Sequence, residues 1–169
     1  MPTTAIYVTD PDQPDIIELL AQSDAYMEAL YPPESNHLLD LQALRQPGVT
    51  FLAARIDDRI RGCGALVPTS ARDWAEIKRM YVTPAARGQR LGRRLLEALE
   101  AIARRDGLPL LRLETGVRQP EAIALYRSAG FREIDAFGAY RPDPLSLFME
   151  KRLSAASAQA SASSTQVGA

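Results

Sequence analysis

The chain has 169 residues, 46% of them hydrophobic, which is enough for one domain with a single core. Its 20 Lys and Arg residues nearly balance its 21 Asp and Glu residues, which argues against a general nucleic-acid-binding protein because such proteins are usually strongly basic. A single cysteine, Cys63, and a single histidine, His37, exclude an internal disulfide and a zinc-thiolate or multi-histidine site, so no metal is expected.

The N-terminal third predicts one strand followed by two helices. Thr4–Val8 is β-prone and predicts the strand. Asp12 as a cap and Pro14 in the first turn then predict the start of the longer helix. The shorter helix is predicted over residues 37–45, with Asn36 as its cap.

An antiparallel meander and a long helix are predicted next. Three β-prone runs predict successive strands, the first two joined by a polar turn: residues 49–56, 60–67 and 74–82. Residues 90–106 predict the helix because apolar side chains repeat there at three- and four-residue steps: Leu91, Leu95, Leu99 and Ile102.

The remainder alternates between strands and a helix. The helix is predicted at 119–129 before Gly130, and the strands at 110–114, 131–134 and 145–150. This order predicts a mixed α/β (α+β) fold, with a mostly antiparallel central sheet of six or seven strands flanked by helices. The domain is expected to span residues 1–153, because the Ser/Ala-rich tail at 154–169 carries no charge and is expected to be disordered.

The connection between the third strand and the long helix, Met80–Gly92, reads MYVTPAARGQRLG. The first backbone N–H groups of a helix have no helical partner, and the helix dipole places partial positive charge there. A strand–loop–helix connection of this kind suits a phosphate or pyrophosphate, and arginines at 87, 90 and 93 add cationic side chains. The alternative is an ordinary connection with a solvated arginine face.

This connection resembles motif A of the GNAT superfamily of N-acetyltransferases, Gln/Arg-x-x-Gly-x-Gly/Ala. Arg87 stands at the first position and Gly92 at the last, but Arg90 stands where the middle glycine is usual. Residues 114–131 resemble motif B, which closes with Leu-Tyr-x-x-x-Gly-Phe. The resemblance covers about residues 50–150 in order and is to small bacterial-type members.

The resemblance implies that acetyl-CoA lies where the fourth and fifth strands splay apart. The backbone of Met80, Tyr81 and Val82 would bond the pantetheine arm like an added strand. Gln119 would contact the pantetheine or the phosphates. The pyrophosphate would be held by the N–H groups of Arg87, Gly88, Gln89, Arg90, Leu91, Gly92 and Arg93.

Two proton transfers follow from the reaction that the resemblance implies, in which an amine attacks the thioester directly. Glu76, eleven residues before Arg87, is the candidate base; alternatively it is a surface carboxylate paired with Lys78 or Arg79, and water takes the proton. Tyr126 matches the motif B tyrosine and is the candidate acid, since an ordinary tyrosine pKa of about 10 keeps it protonated at neutral pH. Its alternative role is a packed aromatic side chain.

The acceptor side offers weaker signals. His37 lies on a loop where the family builds its acceptor wall, although a lone histidine is more often a cap or a packed residue. Tyr140, in a proline-broken loop, is expected to cover the acceptor pocket. Residues 1–44 contain eight acids and no Lys or Arg, which would suit a cationic amine. Cys63 is expected to be a small buried residue, because this chemistry needs no enzyme nucleophile.

The sequence therefore predicts an acyl-CoA-dependent N-acetyltransferase that transfers an acetyl group to a small-molecule or peptide amine in a ternary complex. A non-catalytic CoA-binding sensor or partner module on the same fold is the alternative, and no nucleic-acid partner is expected. No apolar run approaches the roughly 20 residues of a membrane helix, and no secretory signal is recognised, so a cytoplasmic location without membrane contact is expected. A homodimer is common in such folds.

Overall fold

The computed structural model describes residues 2–153, which form a seven-stranded sheet with helices on both faces. The predicted tail at 154–169 lies outside the described residues. The strands are β1 Thr4–Val8, β2 Thr50–Ile56, β3 Arg59–Pro68, β4 Ala75–Val82, β5 Leu110–Gly116, β6 Arg132–Ile134 and β7 Ser146–Arg152. The helices are α1 Pro14–Leu30, α2 Leu41–Leu44, α3 Leu91–Arg105 and α4 Pro120–Ser128, with short 3₁₀ turns at Pro33–Ser35 and Pro84–Ala86.

The strands follow the order β1-β2-β3-β4-β5-β7-β6 across the sheet. Neighbouring strands run antiparallel except for β4 and β5, which run parallel because α3 connects them across one face. The predicted fold class and the predicted meander are therefore confirmed, with seven strands in the sheet.

Both predicted caps in the N-terminal third are wrong. Gln13 occupies the cap position of α1 without a side-chain cap, and Pro14 opens the helix as predicted. The second helix is one turn long and begins later than predicted, because its cap is Asp40, which accepts a hydrogen bond from the Ala43 N–H at 2.8 Å. Asn36 instead donates from its amide to the Tyr31 carbonyl.

Two apolar layers enclose the sheet. One packs α3 and α4 against it, with Leu95, Leu99 and Leu113 fully buried. The other packs α1 against the opposite face, where Ile16 and Phe51 lie. None of the helices within residues 2–153 has the length and apolar character needed to cross a lipid bilayer.

A gap between β4 and β5 positions the site. The register between β3 and β4 shifts where Gly64 faces two residues, and in this bulge Arg79 has a left-handed φ of +58°. The bulge turns β4 away from β5, so the parallel pairing covers only Ala75–Leu111 and Glu76–Arg112. The Arg79 side chain fixes the bulge to α1, since it is buried and donates to Asp24 at 2.6 Å.

Candidate functional site

A first cavity of about 610 Å³ opens on the α3 face of the gap. The end of β4, the loop after it and the first turn of α3 form one side, and α4 forms the other. Ten of the eleven predicted cofactor-binding residues line this cavity: Met80, Tyr81, Val82, Arg87, Gly88, Arg90, Leu91, Gly92, Arg93 and Gln119. The eleventh, Gln89, is exposed and donates weakly to the Ala85 carbonyl at 3.5 Å.

The start of α3 presents free backbone donors to this cavity. The first intrahelical bond runs from the Arg94 N–H to the Arg90 carbonyl at 3.1 Å, so the amides of the three preceding residues have no acceptor within the helix. Arg90 caps the helix in the left-handed conformation, with φ +62° and ψ +19°. Its backbone therefore adopts the shape for which glycine is usual, at the cost of some strain.

The arginine side chains lie around the mouth of the cavity. The Arg87 guanidinium stacks on Tyr26 at 5.0 Å from the ring centre and donates from Nε to the Val82 carbonyl at 3.3 Å. Arg93 donates to the Ser128 hydroxyl at the end of α4. Tyr26 reaches the cavity from α1 and was not predicted, because no local motif marks it.

Tyr126 projects from α4 into the same cavity and is 6% exposed. Burial, and next the charge of Glu114, raise the pKa of its phenol above the ordinary range, so the hydroxyl holds its proton at neutral pH.

Gln119 lies at the cap of α4, where its Oε1 accepts a hydrogen bond from the Tyr31 hydroxyl at 3.1 Å. This contact requires glycine at position 116, because the Cβ of any other residue there would lie 1.8 Å from the Tyr31 oxygen and would clash with it.

Glu114 is the functional candidate that the sequence analysis missed. It lies on β5 just beyond the last residue paired with β4, and its Oε2 is buried without a hydrogen-bond partner. Burial raises its pKa to about 7, and Lys78 opposes that shift while Glu76 and Asp143 add to it. The sequence did contain one signal for Glu114: a carboxyl group lies inside a β-prone run, between Leu113 and Thr115, and both of these neighbours are buried in the structure.

A second cavity of about 640 Å³ lies on the α1 face and brings together three predicted residues, Glu76, His37 and Tyr140. The Tyr140 hydroxyl donates to Glu76 Oε2 at 2.5 Å and accepts from Lys78 Nζ at 2.6 Å. Lys78 also donates to the His37 carbonyl at 2.7 Å and pairs with Glu76 at 3.4 Å. The alternative pairing of Glu76 with Lys78 is therefore present, but the two side chains are only 15% and 12% exposed, so the pair is not on the surface.

Cys63 takes no part in either cavity. It is fully buried, its thiol donates to the Arg79 carbonyl at 3.2 Å, and burial raises its pKa to about 12. The thiol therefore stays protonated, as expected of a packed small side chain. Within residues 2–153, no three His, Cys, Asp or Glu side chains come close enough together to hold a metal ion.

Comparison with known proteins gives consistent matches along the chain. Residues 15–131 match the acetyltransferase (GNAT) family. A protein from Azospirillum brasilense named IAA acetyltransferase is 51% identical over 153 residues, which cover 90% of this chain and 100% of that protein.

Solved structures give the same picture. A Klebsiella pneumoniae protein assigned as an acyl-CoA N-acyltransferase is 42% identical and superposes with a TM-score of 0.74, over 89% of this chain and 98% of that chain. PaiA N-acetyltransferase from Thermoplasma acidophilum, solved in complex with coenzyme A, shares the fold with a TM-score of 0.65 at 20% identity, over 88% of this chain and 99% of that chain.

Proposed function

We propose that this chain, which belongs to the GNAT acetyltransferase family, transfers an acetyl group to an amine at the gap between β4 and β5. The acetyl group comes from acetyl-CoA, as in the family. One observation carries the proposal. The gap separates two cavities, with Tyr126 facing the first and the unpaired Glu114 carboxyl beside the charges of the second.

The first cavity is large enough for a small-molecule ligand, and its donors suit acetyl-CoA. Its volume of about 610 Å³ lies within the usual range for small-molecule sites, roughly 300–1,000 Å³. The free amides at the start of α3 suit the pyrophosphate. The edge of β4 that faces β5 beyond Glu76 is free to bond an extended pantetheine arm, and Met80, Tyr81 and Val82 supply it.

Acetyl-CoA supplies a thioester whose C–S bond breaks as the amine forms a C–N bond, so the nitrogen gives up one proton and the sulfur takes one. Tyr126 is proposed to be the proton donor to the sulfur. Its phenol is protonated over the whole neutral range and faces the cavity. A simple thiol has a pKa of about 8.5, below that of the phenol, so Tyr126 stabilises the departing sulfur by donating a hydrogen bond as negative charge builds on it.

Glu114 is proposed to accept the proton that the nitrogen gives up, directly or through one water. A base acts best when its pKa lies near the working pH, and burial brings that of Glu114 to about 7. Glu76, the base predicted from the sequence, already accepts from Tyr140 and pairs with Lys78. In this proposal Glu76 therefore belongs to the wall of the acceptor cavity.

The test is release of free thiol from acetyl-CoA with a panel of amines, together with calorimetry of CoA binding. The relative from Azospirillum brasilense is named for IAA, so IAA is assayed separately from the amines. We expect CoA binding and turnover with at least one acceptor. Tyr126→Phe should lower kcat by about 100-fold and leave the Kd for CoA unchanged, because it removes only the proton donor.

Tyr7→Phe is the matched control. Tyr7 lies on β1, where its hydroxyl accepts from Arg55 at 3.2 Å, outside both cavities. It should leave kcat within about twofold. Full activity of Tyr126→Phe would contradict the proton-donor role, and CoA binding without turnover for any acceptor would favour the non-catalytic binding module.

A further inference from the structure

We propose that the second cavity selects a primary alkylamine whose short chain carries a flat aromatic ring and no carboxylate, with Trp74 and Tyr140 as its specificity-determining side chains. This inference rests on the acetyl transfer proposed above and adds the chemical class of the acceptor.

The position of the second cavity suggests that the acceptor amine binds there. Glu76, which lines it, is the last β4 residue that pairs with β5. Side chains two residues apart on a strand share a face, so Glu114 lies on the same face as Arg112, the partner of Glu76. The cavity therefore opens where an amine would meet the acetyl group, and about 640 Å³ accommodates a small molecule.

Aromatic side chains form one wall of the cavity. Trp74 and Phe137 lie edge to face at 5.3 Å between ring centres, and Phe137 and Tyr140 at 5.1 Å. The Arg112 guanidinium stacks on Trp74 at 5.1 Å and is itself bonded to Glu150 at 3.3 Å, which fixes the indole. A fixed wall of this kind favours a flat ring over a bare alkyl amine.

The charges at this cavity favour an ammonium group and disfavour a carboxylate. Glu34, Glu76 and Asp143 line it, and the negative charges of Glu76 and Asp143 raise the pKa of Glu114 on the neighbouring strand. Lys78 donates hydrogen bonds to the Tyr140 hydroxyl and the His37 carbonyl, and it forms an ion pair with Glu76 at 3.4 Å. An acceptor carboxylate would have to compete with Glu76 for the charge of Lys78.

Arg141, the other Lys or Arg that lines the cavity, has an exposed side chain. Ion pairs at exposed positions contribute little to binding, because water screens them. The aromatic wall and the pairing of Lys78 with Glu76 thus point to the same kind of acceptor.

The experiment compares three acceptors that differ by one feature each. The amine 2-phenylethylamine has the ring, ethylamine lacks it, and L-phenylalanine adds a carboxylate. We expect kcat/KM for 2-phenylethylamine to exceed that for each of the others by about tenfold or more, mainly through KM. Equal or better kcat/KM for ethylamine or L-phenylalanine would overturn the inference.

Two variants test the residues separately. Trp74→Leu should lower kcat/KM for 2-phenylethylamine by about tenfold and change that for ethylamine by less than about twofold. Tyr140→Phe keeps the ring but releases one hydrogen of Lys78, so it should raise kcat/KM for L-phenylalanine relative to 2-phenylethylamine. A purely structural role for Tyr140 would lower both values together, and the KM for acetyl-CoA should stay unchanged in each variant.

The experiments distinguish failure of the acceptor class from failure of the proposed acetyl transfer. If acetyl-CoA binds and a peptide N-terminus or an aliphatic amine is acetylated while 2-phenylethylamine is not, only the acceptor class is wrong. If CoA does not bind and none of the acceptors reacts, the proposed function is wrong as well.

Discussion

The two cavities on either side of the β4–β5 gap are built in different ways. The first is formed largely by one continuous stretch, from the end of β4 to the first turn of α3, and much of its binding capacity lies in backbone amides. The second is assembled from three distant segments: residues 34–37, residues 74–78 and residues 137–144. Its chemistry lies in side chains that bond across those segments, such as Lys78 to Tyr140.

This difference predicts which amino-acid substitutions each cavity tolerates. Backbone donors survive the replacement of most side chains around them, so the first cavity should depend on the backbone conformation of residues 87–93. In the second cavity a single side chain holds several partners, so one replacement should alter both charge and shape. The experiments below test this contrast, beginning with the largest expected effect.

Glu114→Gln should lower kcat/KM by about 100-fold, because it removes the proposed base at nearly constant volume. In the parent enzyme kcat/KM should fall as the pH drops through about 7, since protonation of Glu114 removes the group that accepts the proton. That inflection should be absent in the variant. The measurement is kcat/KM against pH between about 5.5 and 8.5, in steps of about half a pH unit.

Glu18→Gln is the matched control, because Glu18 is an exposed carboxylate on α1. It should keep both the rate and the inflection near pH 7. An unchanged profile in Glu114→Gln would show that another group sets the pH dependence and would return Glu76 to consideration as the base.

Lys78→Met and Glu76→Gln should move the same inflection in opposite directions. The positive charge of Lys78 lowers the pKa of Glu114, so its loss should move the midpoint to higher pH. The negative charge of Glu76 raises that pKa, so its loss should move the midpoint to lower pH. Shifts of the same sign in the two pH profiles would contradict electrostatic control of Glu114 by the acceptor cavity.

Arg90→Gly should have the smallest effect, and it tests the first cavity. Glycine adopts the left-handed backbone of position 90 without strain, so the free energy of unfolding should rise by about 0.5 kcal/mol. If the backbone amides are the main phosphate donors, the Kd for CoA should stay within about threefold. Calorimetry and denaturant unfolding measure the two quantities.

Arg90→Ala is the companion variant, because it removes the guanidinium while keeping the strained backbone. A loss of CoA affinity beyond tenfold in both variants would show that the Arg90 side chain grips a phosphate, and the proposed contrast between the cavities would then be wrong.

Local patterns predicted the architecture and the first cavity well. The apolar repeat in α3 and the hairpin of β2 and β3 depend on neighbours in the sequence, and both are confirmed. The same holds for the strand–loop–helix connection after β4. The caps failed because several acids and amides competed for them: Asp12 and Asn36 were chosen, whereas Gln13 and Asp40 occupy the positions.

The rest depends on distant contacts that no short pattern contains. Glu114 draws its pKa from burial and from Lys78 on another strand, and Trp74 is held by Arg112 on β5. No short pattern predicted the left-handed backbone of Arg79, because the bulge in β4 and the ion pair to Asp24 stabilise it. The homodimer, the cytoplasmic location and the disordered tail stay predictions from the sequence.

The short pairing between β4 and β5 has a consequence for the lifetime of the protein. Two residue pairs join β1–β4 to the other three strands, whereas β1 and β2 share five pairs. A pantetheine arm bonded along the free edge of β4 would strengthen this narrow junction, and a ligand that binds only the folded state stabilises it by RT ln(1 + [L]/Kd). The supply of acetyl-CoA in a cell would then govern resistance of this enzyme to heat and proteolysis as well as its turnover.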